Sequence, residues 1–484
     1  MKNKQLPLFK ALTIGLVVFW VDLFCGAGGT STGIHQSNAN AVVVACVNHD
    51  AIAIESHKEN HPDCAHFTED IRDFNVVLKI KAITDKLRKD FPGCKINLWA
   101  SSECTHLSGA AGGISRDADS RTLSDHLYMY VEALEPDYFY LENVREFLTW
   151  GPLRLKEGKN STADYCELAE DKKRNKFYVN IADKRYKTIF YNQWREHIKS
   201  YGYEYDYRLL NVADYEGYTS RNRYFGIFAK KGYPIRFPEA TANKDGSNGL
   251  KKHKAVKEVL DFDFKGKPLF SKKRAQKSLI RFLKGLKKNA SDAFLMGFYG
   301  NGVCHSIESP CNTLTTKDRY QINYIQYDYS NVGFSSVDSP AGTLTTNPKH
   351  NLVSIDWMMD FQYDRYSIST EKPCVTIIAR QDKSPLYLCQ AEKGYPENEI
   401  KDDDCEVTRE IKEFMIKHHI KNIYVRMLTV KELLKIQGFP EDYILKGNQD
   451  DQKKFIGNSV APLMAQKLIE ANYEGLKEHL LIAA

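Results

Sequence analysis

A glycine-rich turn set between an apolar run and a helix-like segment constrains this chain more than any other feature. Residues 16–24 read as a buried strand, residues 25–29 as a tight turn, and the stretch to about His35 as a helix. In Asp22-Leu23-Phe24-Cys25-Gly26-Ala27-Gly28-Gly29 the glycines let backbone approach a ligand closely. Such turns sit at the carboxyl edge of a parallel sheet, where ligands usually bind. The alternation continues down the chain. Ala41–Val47, 96–100 and 138–141 read as strands and Ala51–Asn60 as a helix, while Leu123, Leu127, Val131 and Leu134 recur at helical spacing. A helix near 193–200 and strands near 205–210 and 224–229 extend the series. Strands alternating with helices predict an α/β fold with a mostly parallel sheet and helices on both faces.

With 484 residues the chain is too long for one compact core, and two domains are expected. Its net charge of +6 is mildly basic and compatible with a polyanionic partner. The eleven cysteines include no C-x-x-C pair, and the nearest grouping, Cys304, His305 and Cys311, lacks zinc-site spacing. They read as reduced intracellular thiols, mostly core fillers, and no metal is expected. Lys2 and Lys4 precede an apolar run at 11–24 that superficially resembles a secretory signal, but Asp22 interrupts it and a glycine turn follows. No other segment is apolar enough to span a membrane.

Regular alternation dissolves between 151 and 185 into a charged stretch that reads as an insertion. From about 235 to 420 the texture changes again. Lys251, Lys252, Lys254 and a run from Lys272 to Lys288 make its first part basic. A weak repeat follows, with Ser309-Pro310-Cys311-Asn312-Thr313-Leu314-Thr315-Thr316 echoed by Ser339-Pro340-Ala341-Gly342-Thr343-Leu344-Thr345-Thr346 and more faintly from Pro373. Arg319, Lys349 and Arg380 follow the repeats at similar offsets. Helix then returns at Thr429-Val430-Lys431-Glu432, which fits a capping box, and Gly438 and Pro440 end it.

Several loops at strand ends carry chemistry. Asn48-His49-Asp50 stands at the end of the second strand, where a ribose-binding group is expected, and Asp70-Ile71 follows the third strand position. Cys104, in Ser102-Glu103-Cys104-Thr105-His106, lies at the carboxyl end of a strand, although a single cysteine is by default a core residue. Glu142-Asn143-Val144 ends another strand. Arg221 and Arg223 alternate, so on a strand they share a face.

Taken in order, these segments resemble the DNA (cytosine-5) methyltransferase family over nearly the whole chain. The Phe-x-Gly-x-Gly-Gly run is similar to the family's first motif and implies S-adenosylmethionine, with S-adenosylhomocysteine as product. Phe24, Gly26, Gly28, Gly29, Asn48, His49, Asp70, Ile71, Leu123, Asn458 and Val460 are then the expected cofactor residues. The resemblance places Cys104 as covalent nucleophile toward cytosine C6, because thiolate addition makes C5 enamine-like. It gives Glu142 to N3 and the amino group of cytosine, Asn143 to bracing the nucleophile loop, and Arg221 and Arg223 to the thiolate and the flipped base. Arg426 through Pro440 resembles a motif with an architectural role. Three positions depart from the family pattern: an amide at Asn48, Glu103 where proline is usual, and Thr219 where glutamine is usual.

The resemblance further implies a Rossmann-like S-adenosylmethionine methyltransferase fold. Residues 12–230, with the insertion near 151–185, would form the catalytic domain, 231–423 a smaller strand- and loop-rich target-recognition domain, and 424–484 a segment completing the first. Double-stranded DNA is the implied partner of a monomeric cytoplasmic protein, with a cognate restriction endonuclease as a second partner left open. RNA-directed relatives share these motifs but carry a small recognition region, so the long interval from Lys230 to Ile423 favours DNA. A DNA-binding homologue without catalysis is the other alternative.

Overall fold

A computed structural model of the chain describes residues 16–102, 123–156, 180–271 and 386–483, with isolated strands and short pieces between them. These described residues fall into two compact units. One comprises residues to Val259, Pro373–Gln381 and the chain from Val430; the other comprises Leu260–Lys372 and Asp382–Thr429.

The first unit is built on β1 (Val18–Leu23), α1 (Gly29–Gln36), β2 (Ala41–Val47), α2 (Ala51–Asn60), β3 (Ala65–Phe67), α3 (Phe74–Asp90), β4 (Lys95–Ala100), α4 (Leu127–Leu134), β5 (Tyr138–Asn143), α5 (Ile189–Ser200), β6 (Tyr203–Asn211) and β7 (Asn222–Lys230). The strands form one seven-stranded sheet in the order β6-β7-β5-β4-β1-β2-β3. From β5 to β3 every pairing is parallel, and β7 and β6 add an antiparallel edge. The sheet is therefore the mostly parallel α/β sheet that the alternation predicts. Every residue of β1 is buried, as expected of a central parallel strand covered on both faces. Val21, Leu23, Leu98, Phe139 and Leu141 pack on one side with α3, α4 and α5. Trp20, Trp99, Tyr140 and Ile227 pack on the other.

Strand and helix positions follow the apolar pattern closely, although the helix read near 193–200 begins at Ile189. The helix read from Leu123 begins at Leu127, residues 123–126 being turn. The helix Phe74–Asp90 carries its buried face on Val76, Val77, Ile80 and Thr84, and Asp73 caps it by accepting from the Asn75 N–H.

In the second unit β8 (Ile355–Asp360), β9 (Leu386–Lys393) and β10 (Ile420–Met427) are consecutive antiparallel neighbours in a five-stranded sheet. Helix α6 (Glu406–Lys417) covers it through Val407, Ile411 and Met415. Buried Arg426 donates to the carbonyls of Phe264 and Asp261 and so ties β10 to the segment before it. The basic run at 272–288 lies largely outside the described residues, as do Arg319, Lys349, Arg380 and the two Thr-Leu-Thr-Thr repeats.

After Thr429 the chain rejoins the first unit with α7 (Val430–Gln437), α8 (Gln449–Asn458) and α9 (Pro462–Ala483). Gly438, at φ +93°, takes the left-handed stop, and the Phe439 N–H closes back on the Leu434 carbonyl. Helix α9 lies against α1, with Met464, Ala465 and Leu468 buried in the second cluster. The expected boundaries at 231 and 424 fall instead at 260 and 430. Residues 231–259 belong to the first unit because Pro234 accepts from Tyr138 Oη, and Arg236 N–H donates to Asn472 on α9.

Candidate active site

The glycine turn, Asn48–Asp50 and Asp70-Ile71 follow the carboxyl ends of parallel strands, whereas Glu142 and Asn143 end β5 and the arginines come from the antiparallel β7 and the residues before it. After β1, Phe24 (φ 59°), Gly26 (φ 53°) and Gly28 (φ 105°) alternate in the left-handed region. Phe24 is the only one of the three with a side chain, and a non-glycine residue held there costs on the order of 1–3 kcal/mol. The three glycines have different surroundings. A Cβ on Gly28 would strike the Tyr443 hydroxyl and the His61 ring, and one on Gly29 would strike the Val460 carbonyl. Gly26 alone faces open space among the described residues. Close packing with the C-terminal segment thus explains two of the glycines, and only Gly26 opens to where a ligand could lie.

Asn48 is half-buried, and its Oδ1 accepts from the Asp50 N–H at 2.9 Å. His49 is exposed. Asp50 caps α2 by accepting from Ile52 and Ala53 N–H and pairs with Lys454 at 2.8 Å. Asp70 is gripped by Arg72, whose Nε and Nη2 reach its two oxygens at 2.9 and 2.7 Å. That bidentate pair holds the Asp70 carboxyl down at about 2. Ile71 and Val460 are core residues, so they would meet a ligand through backbone, and the Ile71 carbonyl already accepts from Tyr130. Leu123 is half-buried against the first cluster, and Asn458 is exposed.

The second group converges on β5. Glu142 is buried, and its Oε1 lies 3.4 Å from Arg223 Nε and 3.8 Å from Arg221 Nη2. β7 runs antiparallel to β5 with Phe225 opposite Glu142, so both arginines arrive from the neighbouring strand and the residues just before it. Among the described residues, Oε1 makes no hydrogen bond despite its burial. Arg221 also donates from Nη1 to the Gly457 carbonyl at 3.1 Å, joining this group to the Gly457-Asn458-Ser459-Val460 segment.

Cys104 and Glu103 lie outside the described residues, but both ends of their loop are placed. Asn143 Nδ2 donates to Ser102 Oγ at 2.9 Å, while its Oδ1 accepts from the Val144 N–H. Ser102 Oγ meets Ser124 Oγ at 3.2 Å, and Trp194 Nε1 donates to the Ser124 carbonyl at 2.8 Å. Ser102 and Ser124, on either side of residues 103–122, are therefore joined by a buried polar clamp. Ser102, Ser124, Trp194 and Tyr443 were not foreseen. Nothing about an isolated serine or tyrosine marks it as a clamp until the strands set it beside its partner.

Buried imidazoles lie beneath the glycine turn. Burial, with His35 beside it, brings His61 down to about 3, and His61 Nε2 contacts Thr32 Oγ1 at 3.2 Å. Asp22, one residue before the end of β1, is fully buried, and desolvation raises its carboxyl to about 7 although Ser31 Oγ donates to it at 2.8 Å. No helix among the described residues is long and apolar enough to cross a membrane.

Comparison with known proteins follows the same residues. The family model described as C-5 cytosine-specific DNA methylase matches residues 19–154 and 179–474, leaving out 155–178 within the charged insertion. The Type II methyltransferase M.XorII of Xanthomonas oryzae pv. oryzae is 29% identical over 227 residues, covering 46% of this chain and 43% of that protein. M.AgeI of Thalassovita gelatinovora, also a Type II methyltransferase, is 32% identical over 131 residues, covering 26% of this chain and 27% of that protein. The chain thus spans less than half the length of either relative. A crystal structure of a Spodoptera frugiperda DNMT2 mutant superposes with a TM-score of 0.49 at 14% identity, covering 94% of this chain and 99% of that one.

Proposed function

The chain belongs to the family of C-5 cytosine-specific DNA methylases, and on that premise we propose that it methylates C5 of cytosine in duplex DNA at a specific sequence. The observation that carries the reading is the buried Glu142 with Arg221 and Arg223 within 4 Å, beside an Asn143 that clamps the base of the Cys104 loop. A target base must leave the stack to reach such a site, at a cost of roughly a few kcal/mol. Cys104 adds as thiolate to C6, and the electrons displaced toward N3 are met there by Glu142 as hydrogen-bond or proton donor. Arg221 and Arg223 hold Glu142 in place and offset the negative charge of thiolate and phosphate. Loss of the C5 proton and departure of Cys104 restore the aromatic ring.

S-adenosylmethionine, when bound, supplies the methyl group that C5 takes up. The turn around Phe24 and Gly26 fits that cofactor, since Gly26 opens to free space at the carboxyl edge of the sheet and a left-handed Phe24 is maintained beside it. Asn48, His49, Asp70, Ile71, Leu123, Asn458 and Val460, with Gly28 and Gly29 through backbone, complete the proposed binding surface. Within it, the Arg72 grip on Asp70 must loosen or be shared for the carboxylate to take an adenine amino group.

The second unit and its Thr-Leu-Thr-Thr repeats serve as the recognition region, and the enzyme acts as an intracellular monomer. The Type II names of M.XorII and M.AgeI support action beside a cognate restriction endonuclease.

The test is transfer of labelled methyl from S-adenosylmethionine to mixed-sequence duplex DNA and, in parallel, to tRNA, with wild type and Cys104→Ser. Label at cytosine C5 of DNA from wild type and none from the variant is expected. Label only on tRNA would overturn the DNA assignment, and label retained by Cys104→Ser would overturn the nucleophile.

A further inference from the structure

Two thiols and two imidazoles meet beneath the glycine turn, at the outer edge of the sheet. Cys46 lies near the end of β2 and His57 in the last turn of α2, while Cys64 precedes β3 and His66 lies on it. All four offer a ligand atom, and these atoms lie within 4.8 Å of one another. We propose that Cys46, His57, Cys64 and His66 form a structural zinc site, independent of the methyl-transfer chemistry.

The distances decide between a metal cage and chance proximity. Zinc bound to two thiolates and two imidazoles in a tetrahedron implies edges of about 3.8 Å for S–S, 3.6 Å for S–N and 3.3 Å for N–N. Cys46 Sγ to Cys64 Sγ is 3.8 Å, and Cys46 Sγ to His57 Nδ1 is 3.6 Å. Cys64 Sγ to His66 Nε2 is 3.4 Å, and His57 Nδ1 to His66 Nε2 is 3.0 Å. Four of the six edges thus come within a few tenths of an ångström of a zinc tetrahedron, and no pair of ligand atoms is more than 4.8 Å apart. The two sulfurs are far beyond bonding distance, and both cysteines are free.

Hydrogen bonding gives a second, independent argument. When Asp22 is ionised, Ser31 Oγ donates its proton to Asp22 Oδ2 at 2.8 Å, and at its 2.9 Å contact with His57 Nε2 the serine then accepts. His57 then carries its proton on Nε2 and turns the Nδ1 lone pair toward the other three ligands. Outer-sphere bonding of the far imidazole N–H, through a hydroxyl to a carboxylate, is what orients a histidine on zinc. A donor set of two thiolates and two imidazoles favours zinc among the common divalent metals.

Local architecture gives the metal a task. β3 is a three-residue edge strand, and among the buried residues of α2 only Ala53 and Ile54 are apolar. Apolar packing alone anchors these elements weakly. A cage drawn from β2, α2 and β3 would fasten them to the turn after β1, to which Ser31 and Asp22 already link His57. The spacing Cys46-x10-His57-x6-Cys64-x-His66 resembles no short zinc motif, because parallel pairing, with Cys46 opposite His66, brings distant residues together.

The experiment measures metal in the full chain, purified reduced, without a histidine tag or chelator, by plasma mass spectrometry. Cobalt is then added to the metal-stripped protein and its visible spectrum recorded. One zinc per chain, a tetrahedral cobalt spectrum with thiolate charge transfer, and loss of both in Cys64→Ser and in the half-buried, milder His66→Asn are expected. A chelator should lower the melting temperature of wild type but not of His66→Asn. A metal-free wild type that gives no tetrahedral cobalt spectrum overturns the proposal, as does zinc retained by both variants. A Cys46–Cys64 disulfide found by mass spectrometry of the natively purified protein overturns it as well.

Discussion

Replacing Gly33 by alanine sets two physical effects of opposite sign against each other. Gly33 lies inside α1, where alanine is intrinsically favoured over glycine by about 0.5–1 kcal/mol. The structure opposes that gain. A Cβ at Gly33 would strike the Pro462 carbonyl oxygen and would stand 2.7 Å from Ala465 Cβ and 3.0 Å from Gln466 N. None of these neighbours has a side-chain torsion to turn aside, so relief to the ordinary ~3.5–4.0 Å requires α9 to back off by roughly 1 Å. That movement opens the cluster formed by Ile34, Met464, Ala465 and Leu468, all buried. Over-packing of this kind costs roughly 1–3 kcal/mol. The net expectation for Gly33→Ala is destabilisation by about 0.5–2 kcal/mol, read as a lower urea midpoint with an unchanged slope. Because α1 begins directly after the turn, S-adenosylmethionine affinity, read by calorimetry, should fall with it. A raised or unchanged midpoint would refute the close approach of α1 and α9, since propensity alone would then have decided the sign.

Two further predictions concern single side chains. Asn143→Ala removes the 2.9 Å bond to Ser102, which then keeps only its contact with Ser124, and takes away the partner of the buried Val144 N–H. It should cost about 1–3 kcal/mol of stability and depress kcat more than KM for S-adenosylmethionine; an unchanged kcat in folded protein would show that the clamp does not position the Cys104 loop. Asp22→Asn tests the buried carboxyl. Its folded value of about 7 lies above the ordinary 3.8, so the folded state keeps a proton that the unfolded chain releases. The resulting stabilisation is complete below about pH 4 and is lost as pH rises through 7, on the order of a few kcal/mol. Wild type minus Asp22→Asn stability should therefore decline across that window in denaturation series, and a flat difference would remove the assigned desolvation.

The sheet was legible because its signals are local. An apolar run between turn residues marks each of β1, β2, β4, β5 and β7, and of the expected first strand Leu16 and Val17 precede Val18 without joining it. Glu142, Arg221 and Arg223 were legible through their order along the chain, and antiparallel pairing of β7 with β5 brings them together. What stayed hidden depends on residues far apart in sequence. Tyr443 beside Ala27, Ser102 beside Ser124, and the Cys46–His66 cage arise from strand register and helix return, which no window of the sequence contains. The boundary at Val259 was missed for the same reason. Residues 231–259 look like the start of a new domain by charge, yet Pro234, Arg236 and Asp214 with His253 fasten them to the first.

The return of α9 to α1 also bears on how this protein comes to be folded as it is made. Val18, Trp20 and Val43 share a buried cluster with Met464, Ala465, Leu468 and Ile469, and Tyr473 Oη donates to the Leu16 carbonyl. A ribosome delivers the first strands long before the helix that seals them. Nascent chains therefore carry an apolar face in waiting throughout the synthesis of everything in between, and such faces recruit chaperones or aggregate. Stalling or truncation before Pro462 would release a chain with its sheet formed on one side only. Protease sensitivity of the early strands should thus persist until α9 emerges, making the arrival of that helix, rather than formation of the sheet, the event that commits the first unit to the native state.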